Sequence, residues 1–175
     1  MYKVLGILVI GILILLTGLI FFLNSSMVAQ TATPKNSTSV ISTLESPVAP
    51  FTDFQASFAV FTNGTFRVFS APMYHNLSQA AYIESSHPNR VQVKKSGTTW
   101  NDFFSTLPFE LTADCLTTGT KEVFCSGSKG LLQFYINGVK NVNALTQEIK
   151  ENDKLLVTFG NESDKKINQQ IDRVP

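Results

Sequence analysis

The chain begins with an unbroken apolar stretch. Residues 4–23 carry no charged side chain and only one hydroxyl group, that of Thr17. As a helix rising about 1.5 Å per residue, this stretch spans about 30 Å, the thickness of the hydrocarbon core of a bilayer. Lys3 precedes it and the next basic residue is Lys35, so the positive-inside rule places the N-terminus inside the cell. We therefore predict a single-pass membrane anchor over residues 1–23, a cleaved signal peptide being the alternative.

Residues 24–52 have a different composition. Eleven of these 29 residues are Ser or Thr and three are Pro, while Lys35 and Glu45 carry the only charges. Such a segment has too little apolar surface to offset the entropy lost on ordering. We interpret it as a flexible stalk, either O-glycosylated or unmodified. The orientation of the anchor places the stalk and the rest of the chain on the extracytoplasmic side of the cell membrane.

Residues 53–160 have the mixed apolar and polar pattern of a globular domain that is long enough to bury a core. In its first segment, 58–69, large apolar side chains flank Asn63 and Gly64. Both turn residues tolerate the positive φ angles that a two-residue hairpin turn requires, so we predict an extra N-terminal β-hairpin here. Counting outward from the turn pairs Phe61 with Phe66, Ala59 with Val68, Val60 with Arg67, and Phe58 with Phe69.

The two faces of this hairpin differ in polarity. The face of Ala59, Phe61, Phe66 and Val68 is wholly apolar, which favours burial in the core, whereas Arg67 makes the other face mixed. We expect Phe51 and Phe54, or the C-terminal helix, to cover the mixed face. If it is left open, it becomes a candidate binding patch, formed by Phe58, Val60, Phe69 and Trp100.

A short helix and several strands follow. The apolar stripe Trp100, Phe103, Phe104 and Leu107 recurs at helical spacing, with Thr98 or Thr99 as N-cap and Pro108 as its end. Strands are predicted at 80–83, 91–95, 131–136 and 154–159, with turns at Asn137-Gly138 and Asn152-Asp153. The polar tail, residues 161–175, has Ile167, Ile171 and Val174 at helical spacing after Ser163, which predicts one helix packed on the domain.

The order of three sequence pieces between Val91 and Gly160 resembles the β-grasp fold. They are the Gly97-Thr98-Thr99 entry to the helix, Ile136-Asn137-Gly138, and Asn152-Asp153-Lys154-Leu155, which is similar to the family's G-D-x-V/I turn with Asn in place of Gly. The resemblance implies an α+β domain, a mixed sheet packed on one main helix, with residues 111–126 inserted between the helix and the strand at 131–136. It looks closest to exported modules like the C-terminal domain of transcobalamin and the soluble-ligand-binding β-grasp domains of membrane-anchored prokaryotic proteins. Those modules bind rather than catalyse.

Two features fit the predicted extracytoplasmic location. Cys115 and Cys125 are the only cysteines, and a pair in an oxidising compartment is expected to form a structural disulfide. Nine residues separate them, whereas redox-active pairs typically have C-x-x-C spacing. The Asn-x-Ser/Thr sequons at Asn36, Asn63, Asn76 and Asn161 are candidate glycosylation sites.

Charge and motif content argue against most chemical functions. The net charge is +1 and the basic residues are scattered, so we expect no nucleic-acid partner. The sequence has no G-x-S-x-G elbow, no Gly-rich phosphate loop and no paired carboxylates, and His75 and His87 lack the spacing of a zinc site. We therefore expect no catalytic residue, no metal and no cofactor, and predict that the protein is not an enzyme.

Three functional hypotheses follow. The first is a membrane-anchored binding module for a small ligand or an exported protein. The second is a structural component of the cell envelope. The third, an accessory role in thiol–disulfide exchange, requires a labile bond between Cys115 and Cys125. An apolar concavity beside Phe58, Phe69 and Trp100 favours the first hypothesis, and a fully covered sheet favours the second.

Overall fold

A computed structural model of the protein describes residues 50–175. The predicted membrane anchor, almost all of the predicted stalk and Asn36 lie outside these residues. The described part is a mixed α+β domain of ten strands and two α-helices. No helix in residues 50–175 is long and apolar enough to cross a membrane.

The elements follow one another along the chain in this order. The strands are β1 (Phe51–Thr62), β2 (Thr65–Arg67), β3 (Ala81–Tyr82), β4 (Arg90–Lys95), β5 (Glu110–Leu111), β6 (Cys115–Thr117), β7 (Val123–Cys125), β8 (Leu131–Ile136), β9 (Val139–Lys140) and β10 (Lys154–Gly160). The helices are α1 (Trp100–Phe104), between β4 and β5, and α2 (Asp164–Ile171), after β10. Pro72–Tyr74 and Ala144–Thr146 form single turns of 3₁₀ helix.

The main sheet has the strand order β3-β4-β1-β10-β8-β9, and β2 pairs with the far end of β1. β1 runs parallel to β10, and the other pairs of this sheet are antiparallel. The prediction that the hairpin is an addition in front of the domain was wrong, because β1 is the long central strand. β1 also begins at Phe51, two residues inside the predicted stalk.

The predicted hairpin register is confirmed where β2 exists. Phe61 pairs with Phe66 and Val60 with Arg67, across a turn in which Asn63 and Gly64 have φ angles of 50° and 76°. β2 ends at Arg67, so the chain leaves the sheet before Val68 can pair with Ala59. The early end of β2 sends residues 68–77 across one face of the domain as a loop.

Each face of the sheet is covered by one helix, rather than the whole sheet by one main helix. The larger core lies on the face of Phe58, Val60 and Phe69, where α1 contributes Trp100, Phe103 and Phe104. The smaller core on the opposite face joins Ala59, Phe61 and Leu156 to Ile167 and Val174 of the C-terminal segment. The apolar face of Ala59 and Phe61 is buried, as predicted, but the larger core lies on the mixed face, because a central strand covered on both sides is apolar on both sides.

The beginnings of both helices agree with their sequence signals, whereas α1 ends at Phe104, before the predicted end at Pro108. Thr99 is the N-cap of α1 and forms a capping box with Asp102, whose carboxylate accepts from the Thr99 backbone N–H at 2.8 Å. These hydrogen bonds hold the pKa of Asp102 below its usual value. Ser163 is the N-cap residue of α2, as predicted. The apolar stripe of α1 is fully buried, and it fixes this helix against the sheet.

The predicted disulfide is confirmed. Cys115 of β6 lies directly opposite Cys125 of β7, their Cα atoms are 4.1 Å apart, and a disulfide joins them. β5, β6 and β7 form a separate three-stranded sheet. This small sheet packs against the main core through Leu116 and Phe124, and it forms one wall of the groove described next.

Candidate functional site

An apolar groove of about 320 Å³ lies between the loop that follows β2 and the small sheet. Residues 67–69 and the 3₁₀ turn containing Met73 and Tyr74 form one side of the groove. Phe109, Leu116 and the β6–β7 turn, residues 118–120, form the other. Ligand sites of proteins are typically concave, mostly apolar and at least about 300 Å³ in volume, so this groove has the size and lining of a small-ligand site.

Aromatic rings form the floor of the groove. The Phe69 ring centroid is 5.1 Å from that of Tyr74 and 5.8 Å from that of Phe109. Behind them, Phe69 packs at 5.1 Å on Phe58, which contacts both phenylalanines of α1. The floor is therefore supported by the rigid core of the domain, so a ligand would meet a preformed aromatic surface.

The outer rim of the groove carries exposed apolar side chains. Val68 is 51% exposed and Met73 is 53% exposed, although both are large and apolar. Single exposed apolar residues are common on proteins, but these two flank a concave aromatic floor, and together they enlarge one apolar patch. The rim and the floor can thus contact the same apolar ligand.

Hydrogen bonds hold the loop that carries this rim. His75 donates from Nε2 to the Phe69 carbonyl oxygen at 2.9 Å, and its backbone N–H donates to the Pro72 carbonyl oxygen at 3.1 Å. The buried side-chain amide of Asn89 donates to the carbonyl oxygens of Phe58 and Arg67, at 3.3 and 3.4 Å. The loop therefore has a defined position although it leaves the sheet.

The opposite wall is a tight turn that the disulfide anchors. The backbone N–H groups of Lys121 and Glu122 both donate to Thr118, the first to its carbonyl oxygen at 2.9 Å and the second to its hydroxyl at 3.1 Å. The hydroxyls of Thr118 and Thr120 lie 2.9 Å apart. Because Cys115 and Cys125 close the same hairpin at its other end, the bridge restrains the wall as a whole.

Arg67 is the basic residue in the lining of the groove. Its Nε donates to the buried Thr62 hydroxyl at 2.8 Å, and its guanidinium carbon lies 5.8 Å from the centre of the Phe124 ring. The nearest carboxylate is that of Glu122, whose Oε2 is 3.8 Å from Nη2, beyond hydrogen-bonding distance. The guanidinium is thus fixed at one end while its terminal N–H groups remain available.

The four residues of the predicted binding patch lie in the core rather than on an open surface. Phe58, Val60, Phe69 and Trp100 are between 0 and 5% exposed. The mixed face is covered, as expected, and Phe54 packs against its core, but α1, Tyr74 and Phe109 also cover it, whereas Phe51 and the C-terminal helix do not. Val60 and Phe69 reach the groove floor, whereas Phe58 and Trp100 are not part of its lining.

A second cavity, of about 440 Å³, lies beside the C-terminal end of α2. Polar groups such as Lys154 and Asp172 line much of it, and the Lys154 ammonium group already donates to the Val174 carbonyl oxygen at 3.2 Å. Burial raises the pKa of Tyr135 in its wall, and the negative charge of Asp164 adds to this effect. This cavity offers little apolar surface to a ligand, so the smaller groove is the better candidate site.

The remaining candidate residues lie on the surface. His87 is exposed, 3.8 Å from the Glu84 carboxylate, and residues 50–175 contain no group of three metal-ligating side chains close enough to bind an ion. The sequons at Asn63, Asn76 and Asn161 are exposed. Asn63 lies at the tip of the β1–β2 turn, so a glycan there is compatible with the hairpin.

Several groove residues were not identified from the sequence, namely Arg67, Val68, Met73, Tyr74, Phe109, Leu116 and residues 118–120. One signal was present: four large apolar residues, Val68, Phe69, Met73 and Tyr74, lie close together in the chain after the Asn63-Gly64 turn. No protein-family model, curated protein or solved structure matches the chain.

Proposed function

We propose that this protein is a non-catalytic binding module that takes a small, mainly apolar ligand into the groove between the β2 loop and the small sheet. One observation carries the proposal. A preformed aromatic floor, in which the partly exposed rings of Tyr74 and Phe109 flank the buried Phe69, lies beneath an exposed apolar rim. Leaving such a surface in water is costly, at about 25 cal/mol per Å² of apolar area, and a ligand that covers it recovers this energy.

The fold supports a binding role of the β-grasp type. In the main sheet, the first and last strands lie side by side and parallel at the centre, in the order β4-β1-β10-β8-β9, and α1 follows β4 to cover one face. This strand order supports the resemblance to the β-grasp fold, with β1 as the first strand of the sheet instead of part of an added hairpin. We assign the domain to the β-grasp class on these grounds, with the disulfide-bridged sheet inserted between α1 and β8.

The proposed location is extracytoplasmic, on a single-pass anchor. Disulfides persist mainly in oxidising compartments, and the bridge between Cys115 and Cys125 fits that location. The apolar stretch at residues 4–23 and the absence of Lys or Arg between it and Lys35 support the anchor and its orientation. The module would then present its groove to ligands outside the cell membrane.

The methyl group of Met73 is a direct reporter of this function. The chain contains three methionines, and Met73 is the one at the groove rim. With the full-length protein labelled at its methionine methyl groups, we expect 4-phenylbutan-1-ol to shift the Met73 NMR signal saturably. Met1 and Met27 serve as internal references for ligand that partitions into the detergent or binds elsewhere, and Met73→Leu assigns the signal.

Two threonine variants separate groove binding from non-specific effects. Thr120→Phe fills the groove wall and should abolish the Met73 shift, while the exposed Thr146→Phe, outside the groove, should leave it unchanged. The two substitutions are matched, because each replaces an exposed threonine whose hydroxyl makes only local hydrogen bonds. If neither this alcohol nor its carboxylate analogue shifts Met73 saturably in the unmodified protein, the proposed function is wrong.

A further inference from the structure

We infer that the ligand of this groove carries a carboxylate, and that Arg67 binds it while the apolar body of the ligand lies on the aromatic floor. The ligand class is therefore an amphipathic monocarboxylate, such as an aryl-alkanoic or short fatty acid. This inference rests on the proposed function and adds to it the chemical class of the ligand. Three features of Arg67 and its surroundings lead to it.

The first feature is that the guanidinium is fixed in place. The bond from Nε to Thr62 Oγ1, at 2.8 Å, uses a hydroxyl that is buried and therefore has little freedom of its own. The Phe124 ring, 5.8 Å away, adds a cation–π contact on another side. A guanidinium positioned before the ligand arrives loses little entropy when it binds, which favours affinity.

The second feature is unused hydrogen-bonding capacity. Within residues 50–175, Nη1 and Nη2 of Arg67 donate no hydrogen bond, although Arg67 lines the groove. A guanidinium presents its N–H groups in a planar fork that matches the two oxygens of a carboxylate. A ligand carboxylate at the end of the groove would satisfy donors that the protein leaves free.

The third feature is the position of Glu122. Its carboxylate lies 3.8 Å from Nη2 of Arg67, so the two side chains form a long ion pair without a hydrogen bond. A ligand carboxylate bound to Arg67 would either be repelled by Glu122 or displace it. Glu122 also accepts a long hydrogen bond, 3.5 Å, from Thr120 at the groove wall. The structure thus places an exchangeable anion beside the guanidinium, and this predicts that removing the charge of Glu122 strengthens carboxylate binding.

The dimensions of the groove agree with a ligand of this kind. Three rings and the Val68 and Met73 side chains offer apolar contact over a volume of about 320 Å³, enough for one phenyl ring with a short alkyl chain. Arg67 supplies the positive charge in a lining that is otherwise apolar or carries hydroxyl groups. One end of the ligand is therefore expected to be charged and the other end apolar.

The test compares two ligands that differ only in the charged group. Titration of the full-length protein with 4-phenylbutanoate and with 4-phenylbutan-1-ol, followed at the Met73 methyl signal, should give a Kd about tenfold lower for the carboxylate. Arg67→Met should remove this preference, because it should weaken binding of the carboxylate more than binding of the alcohol. Arg90→Met, which removes an exposed arginine outside the groove, should leave the preference unchanged.

Glu122→Gln tests the same inference and leaves the hydrogen bond between Arg67 and Thr62 in place. It should tighten carboxylate binding by about threefold and leave the Kd of the alcohol unchanged. Equal affinities for the two ligands in the unmodified protein would overturn the carboxylate assignment while the proposed binding function stands. A Met73 signal that shifts with protein concentration and with neither ligand would identify a second copy of the chain as the occupant, and would overturn both proposals.

Discussion

Removing the disulfide should lower the free energy of unfolding of the domain by an amount that follows from the length of the loop that the disulfide closes. Cys115 and Cys125 are separated by 10 positions. The entropy that a cross-link removes from the unfolded chain, for a loop of this size, corresponds to about 2.7 kcal/mol at 25 °C. At about 2.1 cal/mol/K of unfolding entropy per residue, a domain that spans residues 50–175 should lose about 10 °C in Tm. The double variant Cys115→Ser/Cys125→Ser avoids leaving an unpaired thiol.

The assay is thermal unfolding of the full-length protein by near-UV circular dichroism. The double variant without reductant and the unmodified protein with reductant should both melt about 10 °C below the oxidised protein. Because the bridge restrains the wall that carries Thr118 and Thr120, the variant should also bind 4-phenylbutan-1-ol more weakly at 25 °C. A loss of less than about 2 °C would mean that the bridge does not constrain the unfolded chain, and would refute this reasoning.

Three other substitutions test separate parts of the fold. Gly64→Val should destabilise the domain by about 1–2 kcal/mol, since φ at Gly64 is +76°, whereas Gly127→Val, where an added Cβ meets open space, should be nearly neutral in chemical denaturation. Gln170→Met should raise Tm, because the buried Gln170 amide has no hydrogen-bond partner within residues 50–175, and the exposed Gln169→Met should not. Asp102→Asn should cost about 1 kcal/mol at pH 7. Since the pKa of Asp102 is lowered in the folded state, its contribution is present above the unfolded value of 3.8, and the two proteins should converge in stability as the pH falls through the lower folded value.

Local signals in the sequence were sufficient to predict several elements of the fold. The Asn63-Gly64 turn requires positive φ at both positions, and this requirement set the register of Phe61 with Phe66. Thr99 and Asp102 mark the start of α1 because the backbone N–H group of each residue donates a hydrogen bond to the side chain of the other. Such features depend on residues close together in the chain, so they can be read without knowledge of the tertiary structure.

The arrangement of the sheet could not be predicted in the same way. β1 pairs in parallel with β10, so that Val60 lies beside Val157, far away in the sequence. β1 is apolar on both faces because a helix covers each face, and its pattern therefore could not show which face holds the larger core. The result was that Phe58 and Trp100, fully buried in that core, were taken as residues of a binding patch.

The groove could not be predicted from the sequence either, because segments that are far apart in the chain form its two sides. One side comes from residues 67–74 and the other from residues 109–120, and these segments have no common motif or spacing. They meet because β2 ends early and because the disulfide-bridged sheet packs against the same core as the loop. Only Val60 and Phe69, which were identified for another reason, belong to both the predicted patch and the observed groove.

The most direct test of the central claim is to locate a bound ligand. The measurement is the set of intermolecular nuclear Overhauser effects between 4-phenylbutanoate and the full-length protein labelled at its methionine methyl groups. We predict effects from the ligand ring to the methyl group of Met73, which lies at the rim above Phe69 and Tyr74, and their loss in Thr120→Phe. Saturable binding with no effect at Met73, unchanged in Thr120→Phe, would place the ligand elsewhere and contradict the account.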